Sequence, residues 1–306
     1  MTLWGRTLNH PTTGSIVDSH ALRWSNGGAM DRDGAEGGAE TITGQPEMRS
    51  EIPSGAPTRT LEKGLFLLGL FDVDRPEWTL KELRERAGLP KATTRRLMKT
   101  LEAANWVAYD PQSGRYHLGS SALRALYLAM SHSELIRTAH PFLVRLTEET
   151  TESTSLCVWA DQGALIIDTV PTARAFKPFT FPGMLLQGSA SADAQILIAF
   201  GPKHVEETVL ATPQQARNRY TVTDPEMLRE RFGRVRLEGV AFDRFEWNET
   251  APAVAAPVFD RNGELRASLS VVAPPERCSE EEMQGYAAAV KKAAADLSAA
   301  LGYRGT

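Results

Sequence analysis

The residues best suited to chemistry lie between Arg84 and Lys99. Six Lys/Arg and one Glu there give a local charge of +5, in a chain whose net charge is −4. Cations gathered on an acidic chain are what phosphate contact requires, because evenly spread acidity would repel a polyanion. Lys91, Thr93, Thr94, Arg95, Arg96 and Lys99 offer ammonium, guanidinium and small hydroxyl groups, the donors that read phosphates and base edges. A solvated helix face would look similar in isolation. Here, however, the same residues follow a capped helix and a glycine turn. Catalytic patterns are not found. Gly188-Ser189-Ala190-Ser191 lacks the second glycine of a nucleophile elbow, and there is no P-loop or GxGxxG. His10, His20, His117, His132, His140 and His204 fall in no HExxH or H-x-H spacing. Cys157 stands in an apolar run, where an inert buried thiol is the ordinary outcome. Asp243 and Glu246 share one loop, where paired acids are usually solvated. The reading therefore assigns no catalytic residue, no metal ligand and no cofactor, and expects the chain not to be an enzyme.

The basic residues need a helix to present them, and the flanking sequence supplies one. Thr79 followed by Glu82 forms a capping box, and Leu80, Leu83 and Ala87 then share one helical face. Gly88 suits a turn needing positive φ. Pro90 suits the first turn of a second helix, where its missing N–H costs nothing. In that helix Leu97, Met98 and Leu101 point to a core. Trp106-Val107-Ala108-Tyr109, the turn Asp110-Pro111-Gln112-Ser113-Gly114, and Arg115-Tyr116-His117-Leu118 then read as a hairpin. Two helices, a tight turn and a hairpin wing make a winged helix-turn-helix, which lays one helix in the major groove of double-stranded DNA. Arg115 in the wing is the candidate for a phosphate or minor-groove contact. Residues 60–71 form a supporting helix, with Leu61, Leu65, Leu68 and Phe71 expected inward.

The 306 residues suggest about two domains. No run of eighteen apolar residues occurs, and the N-terminus lacks a charged region followed by an apolar one. Two cysteines, Cys157 and Cys278, give neither a disulfide framework nor a CxxC knuckle. A cytoplasmic protein is expected. Residues 1–57 are rich in Gly, Ser, Thr and acids and lack a sustained apolar period, so a disordered tail is expected. Trp4 and Trp24 read as stray aromatics there, and Met30 and Met48 as alternative starts.

The second half changes period. Ser120 caps a helix from Ala122 to about Ser131, and another helix covers residues 133–150 with Pro141 marking a break or restart. Residues 155–160 and 163–170 read as strands about an Asp161-Gln162 turn. The aromatic stretch Phe176 to Leu186 suits a loop and strand walling a pocket. Helices follow at residues 191–199, 203–210 and 222–239, the last led by Pro225 with Leu228, Phe232, Val235 and Leu237 apolar. Strands 253–259 and 265–272 flank Asp260-Arg261-Asn262-Gly263, where Asn-Gly is a strong hairpin signal. Ser279 and Glu282 cap a long Ala-rich final helix. Strands flanked by helices predict an α+β domain with an antiparallel sheet.

Three runs carry a family resemblance: Arg59-Thr60-Leu61-Glu62-Lys63-Gly64-Leu65, Gly88-Leu89-Pro90-Lys91-Ala92-Thr93-Thr94-Arg95-Arg96-Leu97, and Asp110-Pro111-Gln112-Ser113-Gly114-Arg115-Tyr116-His117-Leu118-Gly119. In order and spacing they resemble the IclR family of bacterial transcription regulators, and the likeness extends over residues 58–303. It implies a winged helix at 58–119, a linker helix at 120–132 that helps pair two subunits, and a GAF-like effector-binding domain at 133–303. It also implies a homodimer or tetramer on a pseudo-palindromic operator. The family's effector site maps onto Ala192 and Asp193 at a helix start, Asp243 in Gly239-Val240-Ala241-Phe242-Asp243, and strand residues Ala253 and Ser270. Backbone N–H groups at a helix start can hold a carboxylate, and Ser270 could donate to it. The chain departs from the family at Gln187, Ser189, Ala194 and Gln195, where Pro, His, Gly and Lys are common, and at Ala253, where many members have Cys. A second acid usually follows the one at Asp243; here Arg244-Phe245-Glu246-Trp247 follows. With Phe176, Phe179, Phe181, Phe245 and Trp247 nearby, the expected effector is an acid larger and more apolar than a two- or three-carbon keto acid, an aromatic acid being one candidate. Rival readings are an enzyme with a structural winged helix, tested by turnover, and an effector-free DNA-binding scaffold, tested by screening small molecules against DNA affinity.

Overall fold

The computed structural model describes residues 58–72, 75–160 and 163–305. The expectations for residues 1–57, with Trp4, Trp24, Met30 and Met48, and for the Asp161-Gln162 turn lie outside the described residues.

The N-terminal elements are α1 (Arg59–Leu68), β1 (Trp78–Thr79), α2 (Leu80–Ala87), α3 (Lys91–Ala103), β2 (Val107–Asp110) and β3 (Arg115–Leu118). Their core is built from Phe66, Leu67, Leu70, Trp78, Leu83, Leu97, Met98, Val107 and Tyr116. The wing has a third strand that the sequence reading lacked. β1 pairs antiparallel with β3, Trp78 opposite Tyr116 and Thr79 opposite Arg115. Two residues are too few to show a period of two; the indole of Trp78, donating to Leu70 O at 3.0 Å, holds the strand in place. The inward face of α1 also differs from expectation. Leu68 and Phe71 pack against the core as expected, but Leu61 and Leu65 are 61% and 57% exposed, while Phe66, Leu67 and Leu70 are buried. The helix carries two apolar stripes, and α2 and α3 cover the one that holds Phe66 and Leu67.

Helix α4 (Ser120–His132) follows directly. Ser120 is its first residue and not its cap; Gly119 holds that place, with no side-chain cap. The chain passes so close to Asn105 that a Cβ on Gly119 would lie 2.3 Å from the Asn105 carbonyl oxygen, so only glycine fits. Ser121 secures the contact, its N–H donating to Asn105 O at 2.9 Å and its hydroxyl to Ala104 O at 2.8 Å. Helix α5 (Glu134–Thr150), capped by Ser133, runs through Pro141 without the expected break. Leu143 and Leu146 beyond the proline are buried, so packing offsets the lost backbone bond.

The larger sheet contains β4 (Ser153–Ala160), β5 (Gly163–Val170), β6 (Leu185–Gln187), β7 (Ala241–Asp243), β8 (Ala253–Phe259) and β9 (Leu265–Val272). The order is β6-β5-β4-β9-β8-β7, antiparallel throughout. Alternation sorts its side chains between two layers. Leu156, Val254, Val258, Leu269 and Val271 face α5 and the final helix α9 (Glu280–Ala300). Cys157, Ala164, Ile166, Ala253 and Ala255 face α6 (Ala192–Phe200). Outside α6 lie α7 (Lys203–Ala211) and α8 (Pro225–Glu238). Helix α6 is buried from Ala192 to Ala199, as a helix apolar all round must be. In α8, Leu228, Phe232 and Val235 are buried, but Leu237 is exposed.

Candidate functional site

The helix-turn-helix is secured at each joint. Thr79 Oγ1 accepts the Glu82 N–H at 3.3 Å, and Glu82 Oε2 accepts the Thr79 N–H at 2.8 Å. That backbone bond, with the Thr79 hydroxyl, holds the Glu82 carboxyl below its ordinary range. Gly88 adopts φ +61°, the left-handed turn that lets α3 start in a new direction. On α3, Lys91, Arg95, Arg96 and Lys99 are exposed and Thr93 half-buried. None of these four cations has an ion pair among the described residues, so each is free to exchange water for phosphate. Thr94 is corrected: it is fully buried and its hydroxyl donates to Pro90 O at 3.2 Å, so it packs α3 onto the core and presents nothing outward. Arg115 sits at the base of the wing, 3.7 Å from Glu82 Oε2. The wing tip is shaped instead by Asp110, whose carboxylate accepts the N–H groups of Gln112 at 2.8 Å and Ser113 at 3.3 Å.

The residues mapped as effector contacts are all buried: Ala192, Asp193, Asp243, Ala253 and Ser270. Two of them are already engaged. The Asp193 carboxyl, on the first turn of α6, accepts the hydroxyl of Ser268 on β9. Burial pushes that carboxyl above the ordinary range, against the pull of the Ser268 bond, and also pushes the neighbouring Cys157 thiol upward. The hydroxyl of Ser270 lies beside this group without an ordinary hydrogen bond to a protein atom. The chain thus carries its own carboxyl where the sequence reading expected one from a ligand.

Asp243 anchors a loop. Its Oδ1 accepts the N–H groups of Glu246 at 2.8 Å and Trp247 at 3.2 Å, and burial raises its pKa to about 8. Glu246 is buried as well and pairs with Arg231 at 2.6 Å, so the two acids are not the solvated loop pair expected. The anchored loop in turn holds residues 217–222. Asn218 Nδ2 donates to Phe245 O at 2.7 Å and Thr221 Oγ1 to Glu246 O at 2.8 Å.

These contacts shape a cavity of about 440 Å³. Its wall includes Trp159, Gln187, Ser189, Gln214, Arg217 and Thr221. The five mapped effector residues are not part of that wall. Phe176 and Phe179, expected to wall a pocket, are 70% and 74% exposed. The aromatic group facing the cavity is Trp159. Arg217 lies 3.3 Å above the centre of the Trp247 ring, and burial lowers its pKa to about 10, with Asp243 opposing that shift. It makes no side-chain hydrogen bond or ion pair among the described residues. The sequence reading passed over Arg217 because it stands in a polar connection between two helices. A signal was present: an arginine between Ala216 and Asn218 in a segment with no helical period.

Two family models match the chain, the IclR helix-turn-helix domain over residues 60–111 and the bacterial transcriptional regulator IclR C-terminal domain over residues 127–299. The HTH-type transcriptional regulator BhcR of Paracoccus denitrificans is 30% identical over 241 residues, spanning 78% of this chain and 86% of that protein. The crystal structure of an IclR transcriptional regulator from Alicyclobacillus acidocaldarius superposes with a TM-score of 0.72 at 25% identity, over 81% of this chain and all of that one. An IclR homologue from Microbacterium hydrocarbonoxydans, complexed with 4-hydroxybenzoate, gives a TM-score of 0.65 at 26% identity, over 79% of this chain and 98% of that one. A helix-turn-helix with an exposed basic helix, an antiparallel α+β domain behind it and both family models in register lead to one conclusion: the chain belongs to the IclR family of bacterial transcriptional regulators.

Proposed function

We propose that the protein is a cytoplasmic, homodimeric or tetrameric DNA-binding regulator whose operator affinity is set by a small acidic effector. The observation that carries the reading is the exposed cationic face of α3, free of ion pairs among the described residues, on a capped helix-turn-helix. Residues 58–119 form the DNA-binding domain, 120–132 the linker helix and 133–303 the effector domain. Lys91, Thr93, Arg95, Arg96 and Lys99 contact base edges and phosphates, with Arg115 reaching phosphate from the wing. Two-fold pairing of subunits matches a pseudo-palindromic operator. The apolar face of α4 supports that pairing, since Leu123 and Tyr127 are 71% and 70% exposed. An aromatic or similarly apolar carboxylic acid fits the cavity, whose volume lies within the usual range for small-molecule sites. The 4-hydroxybenzoate bound by the Microbacterium homologue supports that class. The effector acts by binding two arrangements of the dimer unequally.

Fluorescence anisotropy on the duplex upstream of the protein's own gene tests the reading. Sequence-selective binding that weakens steeply with salt, and collapses in an Arg95→Ala, Arg96→Ala double variant, is expected. Binding equal on random DNA and indifferent to the double variant would overturn it.

A further inference from the structure

Three features of the effector side bear on where an acid would bind. A cavity of about 440 Å³ opens beside residues 187–190 and 212–221, away from the buried Ala192, Asp193, Asp243, Ala253 and Ser270. Arg217 is part of its wall; the guanidinium is stacked on Trp247 and has no hydrogen bond or ion pair among the described residues. Meanwhile the Ser268 hydroxyl, a natural donor to an incoming carboxylate, is taken by the chain's own Asp193.

A half-buried cation without an ion pair is costly, and a bound anion would offset that cost. Asp243, the acid that acts on it, spends its Oδ1 on the backbone N–H groups of Glu246 and Trp247 and makes no ion pair with the guanidinium among the described residues. The remaining polar groups of the wall narrow the chemistry. Gln214 is occupied, its Nε2 donating to Val209 O at 2.9 Å and its Oε1 accepting from Ser189. Gln187 has a carboxamide with no side-chain partner among the described residues. Trp159 supplies a broad apolar face.

We propose that Arg217 is the anion-recognition residue of the effector cavity, holding the carboxylate of a monocyclic aryl acid whose ring packs against Trp159. The stack on Trp247 fixes the guanidinium plane and leaves its N–H edge for a paired interaction with both carboxylate oxygens. Gln187 is placed to donate to a ring substituent. The assignment rests on the effector-regulator reading and adds where, and through which residue, the acid binds.

The test uses the full-length protein with benzoate, 4-hydroxybenzoate and phenylacetate as probes, and benzamide and inorganic phosphate as comparisons. Thermal shift and calorimetry are read on wild type, Arg217→Gln, Arg217→Lys and, as a charge control, Arg219→Gln, an exposed neighbour stacked on Tyr220. At least one aryl acid is expected to raise the wild-type Tm, with benzamide and phosphate inert. Arg217→Gln is expected to weaken that acid on the order of tenfold to a hundredfold, Arg217→Lys less, and Arg219→Gln hardly at all. Each variant's melt without ligand checks that it is folded. No shift by any aryl acid on wild type, an equal shift by benzamide, or undiminished binding by folded Arg217→Gln overturns the assignment. Operator anisotropy on the same samples separates the two readings. If an acid binds Arg217→Gln and still alters DNA affinity, the regulator stands and Arg217 falls. If an acid needs Arg217 but leaves DNA affinity unchanged, Arg217 stands and effector control falls.

Discussion

The carboxyl of Asp193 on α6 and the hydroxyl of Ser268 on β9 are joined by a hydrogen bond in the layer between helix and sheet, with Cys157 and Ser270 around them. Partners 75 positions apart are brought together on a buried helix that is otherwise apolar except for Gln195. Removing one side strands the other. Asp193→Ala is expected to destabilise the protein by about 1–3 kcal/mol, the cost of a buried donor left without its acceptor. Asp193→Asn, which keeps an acceptor, should cost less. Chemical denaturation of both variants checks the ranking, and an alanine variant as stable as wild type would contradict the bond's importance.

Asp243 gives the protein a pH dependence whose sign follows from its burial. Its folded pKa stands at about 8 against an unfolded value near 3.8, so the folded state binds the extra proton. Its contribution is favourable while both states are protonated, at low pH. Stability then falls as pH rises through the interval between the two values, by up to about 1.4 kcal/mol per pH unit from this group. Asp243→Asn retains the acceptor for the Glu246 and Trp247 N–H groups and removes the titration. Melts of the two proteins from about pH 5 to pH 8 should show the variant gaining on wild type as pH rises. Parallel curves would refute the account.

Thr94 separates packing from recognition on α3. Its hydroxyl is spent on Pro90 O inside the fold, whereas Thr93 is half-exposed beside it. Thr94→Ala should lower Tm, in line with a loss of about 1 kcal/mol, and leave operator affinity per folded molecule unchanged. Thr93→Ala should weaken operator binding with little change in Tm. The reverse pattern would place Thr94 in the groove.

The apolar residues left outside on α4 invite pairing. Leu123 and Tyr127 lie four apart, on one face of a helix with no buried residue. A Leu123→Glu, Tyr127→Glu double variant is expected to shift the protein to monomers by light scattering, and to lose operator affinity with the second half-site. Unchanged oligomers would move the interface elsewhere.

What the sequence by itself determined is local. Thr79 with Glu82, Gly88, Ser279 with Glu282, and the Asn262-Gly263 turn act within a few residues, so capping boxes, a left-handed turn and a hairpin are legible in one dimension. Period alone likewise marked Leu83, Met98, Phe232 and the strands of β8 and β9. Tertiary structure decided everything that depends on which surface meets which. It chose between two apolar stripes on α1, leaving Leu61 and Leu65 outside. It turned Thr94 inward, carried the helix through Pro141, and set the two-residue strand Trp78–Thr79 against the wing. It also set the long-range polar contacts of the effector domain. Asp193 meets Ser268 because α6 packs over one face of the sheet, and Arg217 meets Trp247 across 30 positions of chain. Contacts between residues 30 or 75 positions apart leave no local period or motif. They arise when a buried polar group must find a partner, and the folded chain alone determines which partner lies within reach.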